Sequence, residues 1–447
     1  MELNHKKILV VGMAKTGMSV ARFLKSKGAY VSIADRQNEN QLRDKIKILR
    51  KDDIKIITGP HKIEDFISKD MIVLSPGVPH TIGPIKRSME EKIPVIGEIE
   101  LASCFIKEKI IAITGTNGKT TTTTLIGKML EASGKKVFVG GNIGNPLIDY
   151  VINNEKADVL VVEVSSFQLD TIEKFRPNTA LLLNITDDHL DRYKDFNEYA
   201  RSKFRIFKNQ KENDIGILNA NCNATSLFIS KVKSKIFYFN GNNEKNAIIN
   251  KNKINFPFAE FSIDTNKVKL PGEHNLENIS AASIAAWSVG ATKQGIQKAV
   301  DDFRGLPHRM EYVATVNGID FFNDSKATNV DAVKRAITCF SSPIHLIMGG
   351  RDKGGDYSVL KQGLKKHVKE LILIGESKEI INSAFKDEIK INLEARSLDE
   401  AVEIAFKSAK KGEVVLLSPA CSSFDMFESY NQRGDVFKAA IQKDSQR

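Results

Sequence analysis

The chain lacks the features that mark secreted, membrane-spanning and nucleic-acid-binding proteins. Its 447 residues contain only four cysteines, far apart and without a CxxC pair, so neither a disulfide framework nor a zinc site is predicted. No apolar run reaches the ~18 residues of a membrane span, and the start of the chain shows no signal-peptide pattern. We therefore expect a cytoplasmic protein with reduced thiols and no membrane insertion.

Long blocks of one charge are also missing. The chain carries 66 Lys and Arg against 55 Asp and Glu, a net charge of +11, yet it contains no block of about five or six like charges. A dedicated nucleic-acid arm is thus excluded, and we expect no nucleic-acid partner. Scattered positive charge favours small anionic substrates, although an ordinary solvated surface explains it more simply.

Composition and length predict a folded protein of several domains. Glycine and proline number only 29 and 12, and 41% of the residues are hydrophobic, which excludes collagen-like and disordered chains. At a usual size of ~150 residues per domain, this length corresponds to about three domains. Short aliphatic runs alternate with amphipathic stretches, a pattern typical of β–α units around mostly parallel sheets. The predicted fold class is α/β.

Three such units follow one another along the chain. Residues 7–12, 16–27 and 30–35 predict a strand, a helix and a strand. Strand, glycine turn and helix start again at 109–119, which puts the first boundary near 100, and Gly305-Leu306-Pro307 puts the second near 305. Further strands are predicted at 71–77, 158–164, 179–185, 310–316, 320–323, 344–350, 370–375 and 413–419, with a helix at 278–289 and an exposed loop or hairpin at 240–253.

A glycine-rich segment with the sequence GTNGKT, residues 115–120, lies between a predicted strand and a predicted helix. Backbone N–H groups and the helix N-terminus can hold phosphates there, Lys119 can reach the outer phosphates, and Thr120 can offer its hydroxyl to Mg²⁺. The segment is a variant of the Walker loop, because Ile113 stands where that pattern has a glycine. An ordinary glycine-rich turn is the alternative, which the strand–loop–helix context disfavours.

Polar residues follow two further predicted strands. Glu163 ends the apolar run VLVVE, and Asp188-His189 follow the run ALLLNIT, at strand ends where open α/β sheets bind ligands. A carboxylate facing the phosphate loop is the expected Mg²⁺ partner of Thr120. An edge carboxylate and a structural histidine are the alternatives.

The first unit opens on GMAKTG, residues 12–17, with Asp35 at the end of the next strand. This pattern is related to the dinucleotide-binding fingerprint, in which an acidic residue follows ~20 residues on. Ala14, however, replaces the glycine that lets the backbone approach a pyrophosphate. An NAD-dependent oxidoreductase is thus disfavoured, and a regulatory nucleotide-binding module without turnover is a second alternative.

Six further motifs follow the order and spacing of one enzyme family. They are GNIG at 141–144, EVSSFQL at 163–169, DHLDRY at 188–193, HNLEN at 274–278, NDSKATN at 323–329 and SPACSSFD at 418–425. With the phosphate loop they resemble the Mur ligases, ATP-dependent amide-forming enzymes of bacterial peptidoglycan synthesis. SSFQL and NDSKATN most resemble the D-glutamate-adding members, while another Mur ligase or a folylpolyglutamate synthetase-like ligase is the alternative.

This resemblance implies that the protein joins D-glutamate to UDP-N-acetylmuramoyl-L-alanine through an acyl phosphate, giving ADP and phosphate. It implies a Rossmann-like UDP-binding domain at 1–100, a central P-loop-type ATP-binding domain at 101–305, and a C-terminal Rossmann-like domain at 306–447. The last would bind the amino acid and close on ATP. We expect a monomer whose partners are these small-molecule substrates.

The resemblance also assigns site residues. For ATP they are Gly115, Thr116, Asn117, Gly118, Lys119, Thr120, Thr121, Asn275, Asn278, Arg309, Asp324 and Lys326. For the UDP substrate they are Thr16, Asp35, Arg36, Ser75, Gly77, Asn142, Ser165 and Gln168. For D-glutamate they are Thr328, Lys353, Ser423, Phe424 and Tyr430.

Two Mg²⁺ sites and three catalytic residues complete the set that the resemblance implies. The metal ligands are Thr120, Glu163, His189 and Lys203, and the catalytic residues are Lys119, His189 and Lys203. Lys203 would be N-carbamylated by CO₂, which converts a cation into a carboxylate-like ligand. That modification requires a neutral amine, which burial or nearby positive charge favours.

Overall fold

A computed structural model describes residues 1–186, 192–243, 246–268, 272–385, 387–392 and 395–444. Within these residues the chain forms three β-sheets, of five, nine and six strands, each built from a continuous stretch of sequence and flanked by helices. The predicted α/β class is confirmed. Among the same residues, no helix is both long and apolar enough to cross a membrane.

The first sheet is wholly parallel. Its strands are β1 (Lys7–Val11), β2 (Tyr30–Asp35), β3 (Lys55–Thr58), β4 (Met71–Leu74) and β5 (Val95–Gly97), and its helices are α1 (Lys15–Ser26), α2 (Arg43–Lys51), α3 (Ile63–Ile67) and α4 (Gly83–Glu90). The strand order is β3-β2-β1-β4-β5. The apolar residues of β1 are buried on both faces, as a parallel strand covered by helices requires.

The second sheet carries the phosphate loop at its centre. Its strands are β6 (Lys109–Thr114), β7 (Val137–Gly141), β8 (Val159–Glu163), β9 (Thr179–Leu182), β10 (Ile215–Asn219), β11 (Lys235–Phe239), β12 (Asn246–Asn250), β13 (Lys253–Phe256) and β14 (Phe261–Asp264). Its helices are α5 (Glu98–Ser103), α6 (Lys119–Ala132), α7 (Leu147–Asn153), α8 (Ser166–Leu169), α9 (Phe196–Phe204), α10 (Glu273–Ser288) and α11 (Lys293–Asp302).

The strand order of this sheet, β14-β13-β12-β11-β10-β9-β6-β8-β7, places β6 between β8 and β9. Loops from neighbouring strands therefore diverge above β6, and such a point is where open α/β sheets bind ligands. The prediction of an exposed loop or hairpin at 240–253 was only partly right. It contains a hairpin turn between β12 and β13, but Asn246 and Ala247 are buried strand residues.

The third sheet is mixed. Its strands are β15 (Glu311–Val316), β16 (Ile319–Asn323), β17 (Ile344–Gly349), β18 (Val368–Ile374), β19 (Ile391–Asn392) and β20 (Val414–Leu417). Its helices are α12 (Val330–Ile337), α13 (Lys361–His367), α14 (Lys378–Phe385), α15 (Leu398–Ser408) and α16 (Tyr430–Asp444). The order is β15-β16-β20-β17-β18-β19, and the β15–β16 pair is antiparallel.

Helix α5, which links the first two sheets, is fastened to the second unit by two buried carboxylates. Glu100 accepts hydrogen bonds from three successive backbone N–H groups at 173–175, at 2.8–3.0 Å. Glu98 Oε1 accepts the backbone N–H of Ile148 at 2.7 Å, at the start of α7. Within the described part of the chain, the other oxygen of Glu98 makes no hydrogen bond.

We expect Glu98 to make the protein less stable as the pH rises. Burial raises the pKa of Glu98 from 4.5 to about 7, against the opposing effect of the Ile148 amide. The protonated form is thus favoured in the folded state, and its stabilisation is lost as the pH rises from about 5 through 7. In Glu98→Gln, which mimics the protonated form, the free energy of unfolding should depend less on pH, by on the order of 1–3 kcal/mol between pH 5 and 8.

Denaturant unfolding at several pH values measures this difference. Glu100→Gln is the control, because an amide NH₂ would there face backbone donors and destabilise the protein at every pH. Parallel pH profiles for the wild type and Glu98→Gln would contradict the prediction.

Candidate functional site

The phosphate loop, residues 115–120, joins β6 to α6, and its residues Asn117 and Gly118 line a crevice. Helix α6 begins at Lys119, so its first backbone N–H groups point toward the loop, a geometry that binds anions. Gly118, just before the helix, has φ +84°, and a Cβ there would collide with the side chain of Asn278. The loop shape therefore requires glycine at this position.

Two lysines converge on the backbone of this loop. Lys119 Nζ donates to the carbonyls of Gly115 and Thr116, both at 2.8 Å. Lys203, on α9, is buried and donates to the same Gly115 carbonyl at 2.8 Å, with its ammonium 4.6 Å from the centre of the Tyr199 ring. The structure thus brings together these two predicted catalytic lysines and concentrates positive charge at the loop.

Oxygen ligands suited to Mg²⁺ meet beside the same loop. Thr120 Oγ1 donates to Glu163 Oε2 at 2.8 Å, and Asn142 Nδ2 donates to Glu163 Oε1 at 2.9 Å. Arg309 Nη2, from the third unit, donates to Thr120 Oγ1 at 2.5 Å. A hydroxyl and a carboxylate facing a phosphate site fit Mg²⁺, which binds few protein oxygens and takes the rest from phosphate and water.

The remaining predicted metal ligand, His189, and its neighbour Asp188 lie outside the described residues. Within the residues that are described, no three His, Cys, Asp or Glu side chains cluster in a way that would hold a metal ion. Thr120 and Glu163 therefore fit a site that phosphate oxygens must complete.

A crevice of about 90 Å³ lies between the second and third units, beside the phosphate loop. It gathers most of the predicted ATP residues, namely Asn117, Gly118, Thr121, Asn275, Asn278, Arg309, Asp324 and Lys326. His274 and Arg335 also line it, and our sequence prediction missed both. His274 opens the HNLEN motif and could have been found there, whereas Arg335 has no sequence signal beyond its place on helix α12.

Burial shifts the ionisation of four side chains in this crevice, one of which is Arg309, whose pKa is lowered. The pKa of Asp324 is raised to about 7 by burial, against a hydrogen bond from Ser418. Burial lowers the pKa of Lys326 to about 7, with Arg309 adding to the effect. Burial also lowers the pKa of His274 to about 4. Burial in the crevice therefore disfavours the charged forms of the acid and of the bases alike, and a bound anion would favour the ammonium form of Lys326.

Five of the eight predicted UDP residues lie at the carboxyl edge of the first sheet, and the other three, Asn142, Ser165 and Gln168, belong to the second unit. Asp35 connects two loops there, since Oδ2 accepts the N–H of Met13 at 2.8 Å and Oδ1 accepts that of Gln37 at 3.0 Å. Ser75 Oγ donates to the Gly12 carbonyl at 3.2 Å. The remaining three of these five residues follow β1, β2 and β4 in the chain: Thr16 is half-buried, and Arg36 and Gly77 are exposed.

This edge faces the second unit. Lys15 Nζ donates to the Gly144 carbonyl at 3.1 Å and to Asn145 Oδ1 at 2.9 Å. Arg192 Nη2 donates to the Gly77 carbonyl at 3.2 Å. The loop that carries Asn142 therefore borders both the UDP edge and Glu163.

Ser165 and Gln168 form a capping box at the start of α8. The Ser165 N–H and hydroxyl both donate to Gln168 Oε1, at 2.9 and 3.0 Å, and the Gln168 N–H donates to Ser165 Oγ at 3.3 Å. Their contacts in the structure thus stabilise the helix start. Any contact with substrate would be added to this role.

The predicted D-glutamate residues fall into two groups. Thr328 and Lys353 line a cavity of about 260 Å³ together with Thr186. Ser423, Phe424 and Tyr430 do not line it. Ser423 is buried, the Phe424 side chain is 64% exposed, and the Tyr430 ring lies 4.0 Å from Lys326 Nζ, on the nucleotide side.

Comparisons with known proteins agree with this architecture. Family models match residues 6–97 (Mur ligase MurD-like, N-terminal domain), 113–286 (Mur ligase middle domain) and 308–421 (Mur ligase, glutamate ligase domain). Solved structures show the same fold at low identity. MurC from Thermotoga maritima aligns over 98% of this chain and 100% of its own with TM-score 0.61 and 20% identity. The ADP complex of MurF from Thermotoga maritima aligns over 99% and 96% with TM-score 0.63 and 16% identity.

The chain belongs to the Mur ligase family. Within this family it is similar along nearly its whole length to UDP-N-acetylmuramoylalanine–D-glutamate ligases. It is 48% identical to the ligase of Desulfosudis oleivorans, over 99% of this chain and 97% of that protein. It is also 48% identical to the ligase of Desulfatibacillum aliphaticivorans, over 98% of both chains. The predicted family is thereby confirmed.

The KM for ATP should rise with pH if the ammonium group of Lys326 binds phosphate. Because the pKa of Lys326 is lowered to about 7, the ammonium form is lost above that pH in the free protein. We expect KM to rise roughly fivefold between pH 7 and 8 in the wild type. In Lys326→Arg, with Asp324 unchanged, the KM for ATP should depend less on pH, because a guanidinium remains charged over this pH range. Steady-state kinetics measures both profiles, and a flat wild-type profile would contradict the prediction.

Proposed function

We infer that the protein joins D-glutamate to UDP-N-acetylmuramoyl-L-alanine with the conversion of ATP to ADP and phosphate, a step of peptidoglycan precursor synthesis. The observation that carries this conclusion is the similarity, along nearly the whole chain, to ligases of that name. The phosphate loop, its two lysines and the crevice between the second and third units supply a suitable site.

Each unit has a separate task in this proposal. Residues 1–100 bind the UDP moiety, residues 101–305 bind ATP, and residues 306–447 bind the amino acid and close on the nucleotide. The crevice between the second and third units supports this division, because Asn275 and Asn278 come from one side and Arg309, Asp324 and Lys326 from the other. Closure would exclude water from a reactive acyl phosphate.

Cationic side chains of the protein assist the phosphoryl transfer by stabilising negative charge. The alanyl carboxylate attacks the γ-phosphorus of ATP, the bond from that phosphorus to the β,γ-bridging oxygen breaks, and ADP leaves. Lys119 and Lys326 stabilise the negative charge on the phosphoryl oxygens. The D-glutamate amine then attacks the acyl carbon, phosphate leaves, and the amine loses a proton. Mg²⁺, held by Thr120 and Glu163, would neutralise phosphate charge when bound.

Lys203 is proposed to carry a carbamate. Its neutral amine would add to CO₂ and release a proton, and the new oxygens would join His189 as ligands of a second Mg²⁺. The burial of Lys203 and its position against the phosphate loop support this assignment. Because an anionic carbamate would repel the nucleotide phosphates, the two would lie close together only with a metal ion between them.

The amino acid is proposed to lie between the two groups of predicted residues. D-glutamate has two carboxylates and therefore needs donors at both ends. Thr328 and Lys353 offer a hydroxyl and a positive charge at the cavity of about 260 Å³. Ser423, Phe424 and Tyr430 would provide the other end.

A substrate screen tests the function directly. With ATP and UDP-N-acetylmuramoyl-L-alanine present, phosphate release should depend on D-glutamate and not on L-glutamate or L-alanine, and mass spectrometry should show the new amide. Lys119→Ala should lower turnover by a factor of about 10³ or more, because it removes a cation from the transferring phosphate. Equal turnover with L-alanine, or turnover that needs no UDP substrate, would place the protein with another ligase.

Loss of the Lys203 carbamate should be reversible by a small carboxylate. We expect Lys203→Ala to be nearly inactive and partly rescued by acetate, since the missing group is an anionic oxygen ligand. Lys203→Arg should not be rescued, and Lys208→Ala, an exposed lysine nearby, should behave like the wild type. Carbon NMR of protein equilibrated with ¹³C-bicarbonate should show a carbamate in the wild type only. Full activity of Lys203→Ala would refute this assignment.

A further inference from the structure

The side chain of Asn117 connects the phosphate loop to the third unit. Its Nδ2 donates to Asp331 Oδ2 at 2.8 Å, and its Oδ1 accepts from Asn329 Nδ2 at 3.4 Å. Both partners belong to the start of helix α12. An amide offers a donor and an acceptor at opposite corners of one plane, so two such partners fix its orientation.

The backbone of Asn117, in contrast, is held within the second unit. Its N–H donates to Asn184 Oδ1 at 2.8 Å, and its carbonyl accepts from Asn184 Nδ2 at 3.1 Å. One residue of the loop therefore has its main chain fixed by one unit and its side chain by another. Relative movement of the two units must change the hydrogen bonds of this loop.

Asp331 makes three contacts through the same carboxylate oxygen. Besides Asn117, Oδ2 accepts from Thr186 Oγ1 of the second unit at 3.3 Å and from Arg335 Nε at 3.0 Å, one turn along α12. Arg335 in turn lies 3.7 Å from Glu277 of the HNLEN motif. Asp331 also lines the cavity that holds Thr328 and Lys353, so it stands between the nucleotide crevice and that cavity.

A local role for Asp331 in the helix does not account for these contacts. An aspartate in the first turn stabilises a helix through the helix dipole. Helix α15 has the same arrangement, with Ser397 as its cap and Asp399 at the second helical position, where Asn329 and Asp331 stand in α12. Asp399 is exposed, and it lies away from the unit boundary in a helix that packs on the third unit's own core. The chain thus contains a matched control for the local effect.

We propose that Asp331 is a positioning residue that couples closure of the third unit to the shape of the phosphate loop through Asn117. The loop keeps its phosphate-binding conformation while the Asn117 amide is hydrogen-bonded to Asp331 and Asn329. Opening of the third unit breaks these hydrogen bonds and lets the loop change conformation. Asp331 itself touches no reacting atom. This inference rests on the proposed ATP site and extends it.

A double-mutant cycle tests the coupling. We expect Asp331→Ala and Asn117→Ala each to lower kcat/KM for ATP by about 10- to 100-fold, since small displacements of a positioned group have effects of that size. The kcat/KM of the double variant should be no lower than that of the less active single variant, because both substitutions remove the same contact. The KM for UDP-N-acetylmuramoyl-L-alanine should change less than twofold, as its proposed site is on the first unit.

Controls separate this coupling from instability and from failure of the proposed function. Asp399→Ala should leave kcat/KM unchanged, and thermal unfolding should show all variants folded. The same cycle is run on the dissociation constant for a non-hydrolysable ATP analogue, which needs no ligase turnover. If the wild type binds the analogue but does not ligate D-glutamate, the proposed function is refuted, and the coupling can still be measured from the dissociation constants. If the wild type is active, the proposed coupling would be overturned by additive losses of kcat/KM in the cycle, or by an equal loss in Asp399→Ala.

Discussion

The concentration of positive charge around one backbone carbonyl is the constraint on which the site depends. In the unmodified chain, Lys119 and Lys203 both donate to the Gly115 carbonyl, and Arg309 and Lys326 approach the same loop from the third unit. The proposed carbamate on Lys203 would remove one of these positive charges. Like charges so close together repel strongly where burial removes water. In the free protein, backbone carbonyls and the buried Glu163 offset this repulsion. A nucleotide triphosphate supplies the negative charge that the arrangement lacks.

That constraint explains why the site is divided between two units. If all four cations belonged to one rigid domain, the repulsion would be permanent and would destabilise its fold. Arg309 and Lys326 instead belong to the third unit, so the proposed closure of that unit would bring them toward the loop. Closure and phosphate binding would then favour each other, because the phosphates would offset the added positive charge. Burial is the main cause of the lowered pKa of Lys326, and repulsion from Arg309 and Lys119 adds to it.

Sequence patterns predicted the elements well and the contacts between units poorly. The strands around the phosphate loop and the loop itself follow from aliphatic runs and glycine spacing, which are local signals. The contacts of Asp331 and the place of Arg335 in the crevice depend on how the second and third units pack. No periodicity within a segment carries that information. The segment 240–253 was predicted only in part for a related reason, because its asparagines suggest solvent while Asn246 is buried and pairs within the sheet.

The docking of helix α5 has a consequence for where the chain can be divided. Its two carboxylates serve amides of the second unit, although the helix directly follows the last strand of the first. A fragment starting after α5 would leave the three amides at 173–175 without their acceptor. The natural seam is Gly97, which packs so closely on Thr171 that a side chain there would collide with it. A division of the chain at Gly97 would therefore keep α5 with the second unit, whose backbone amides its two carboxylates accept.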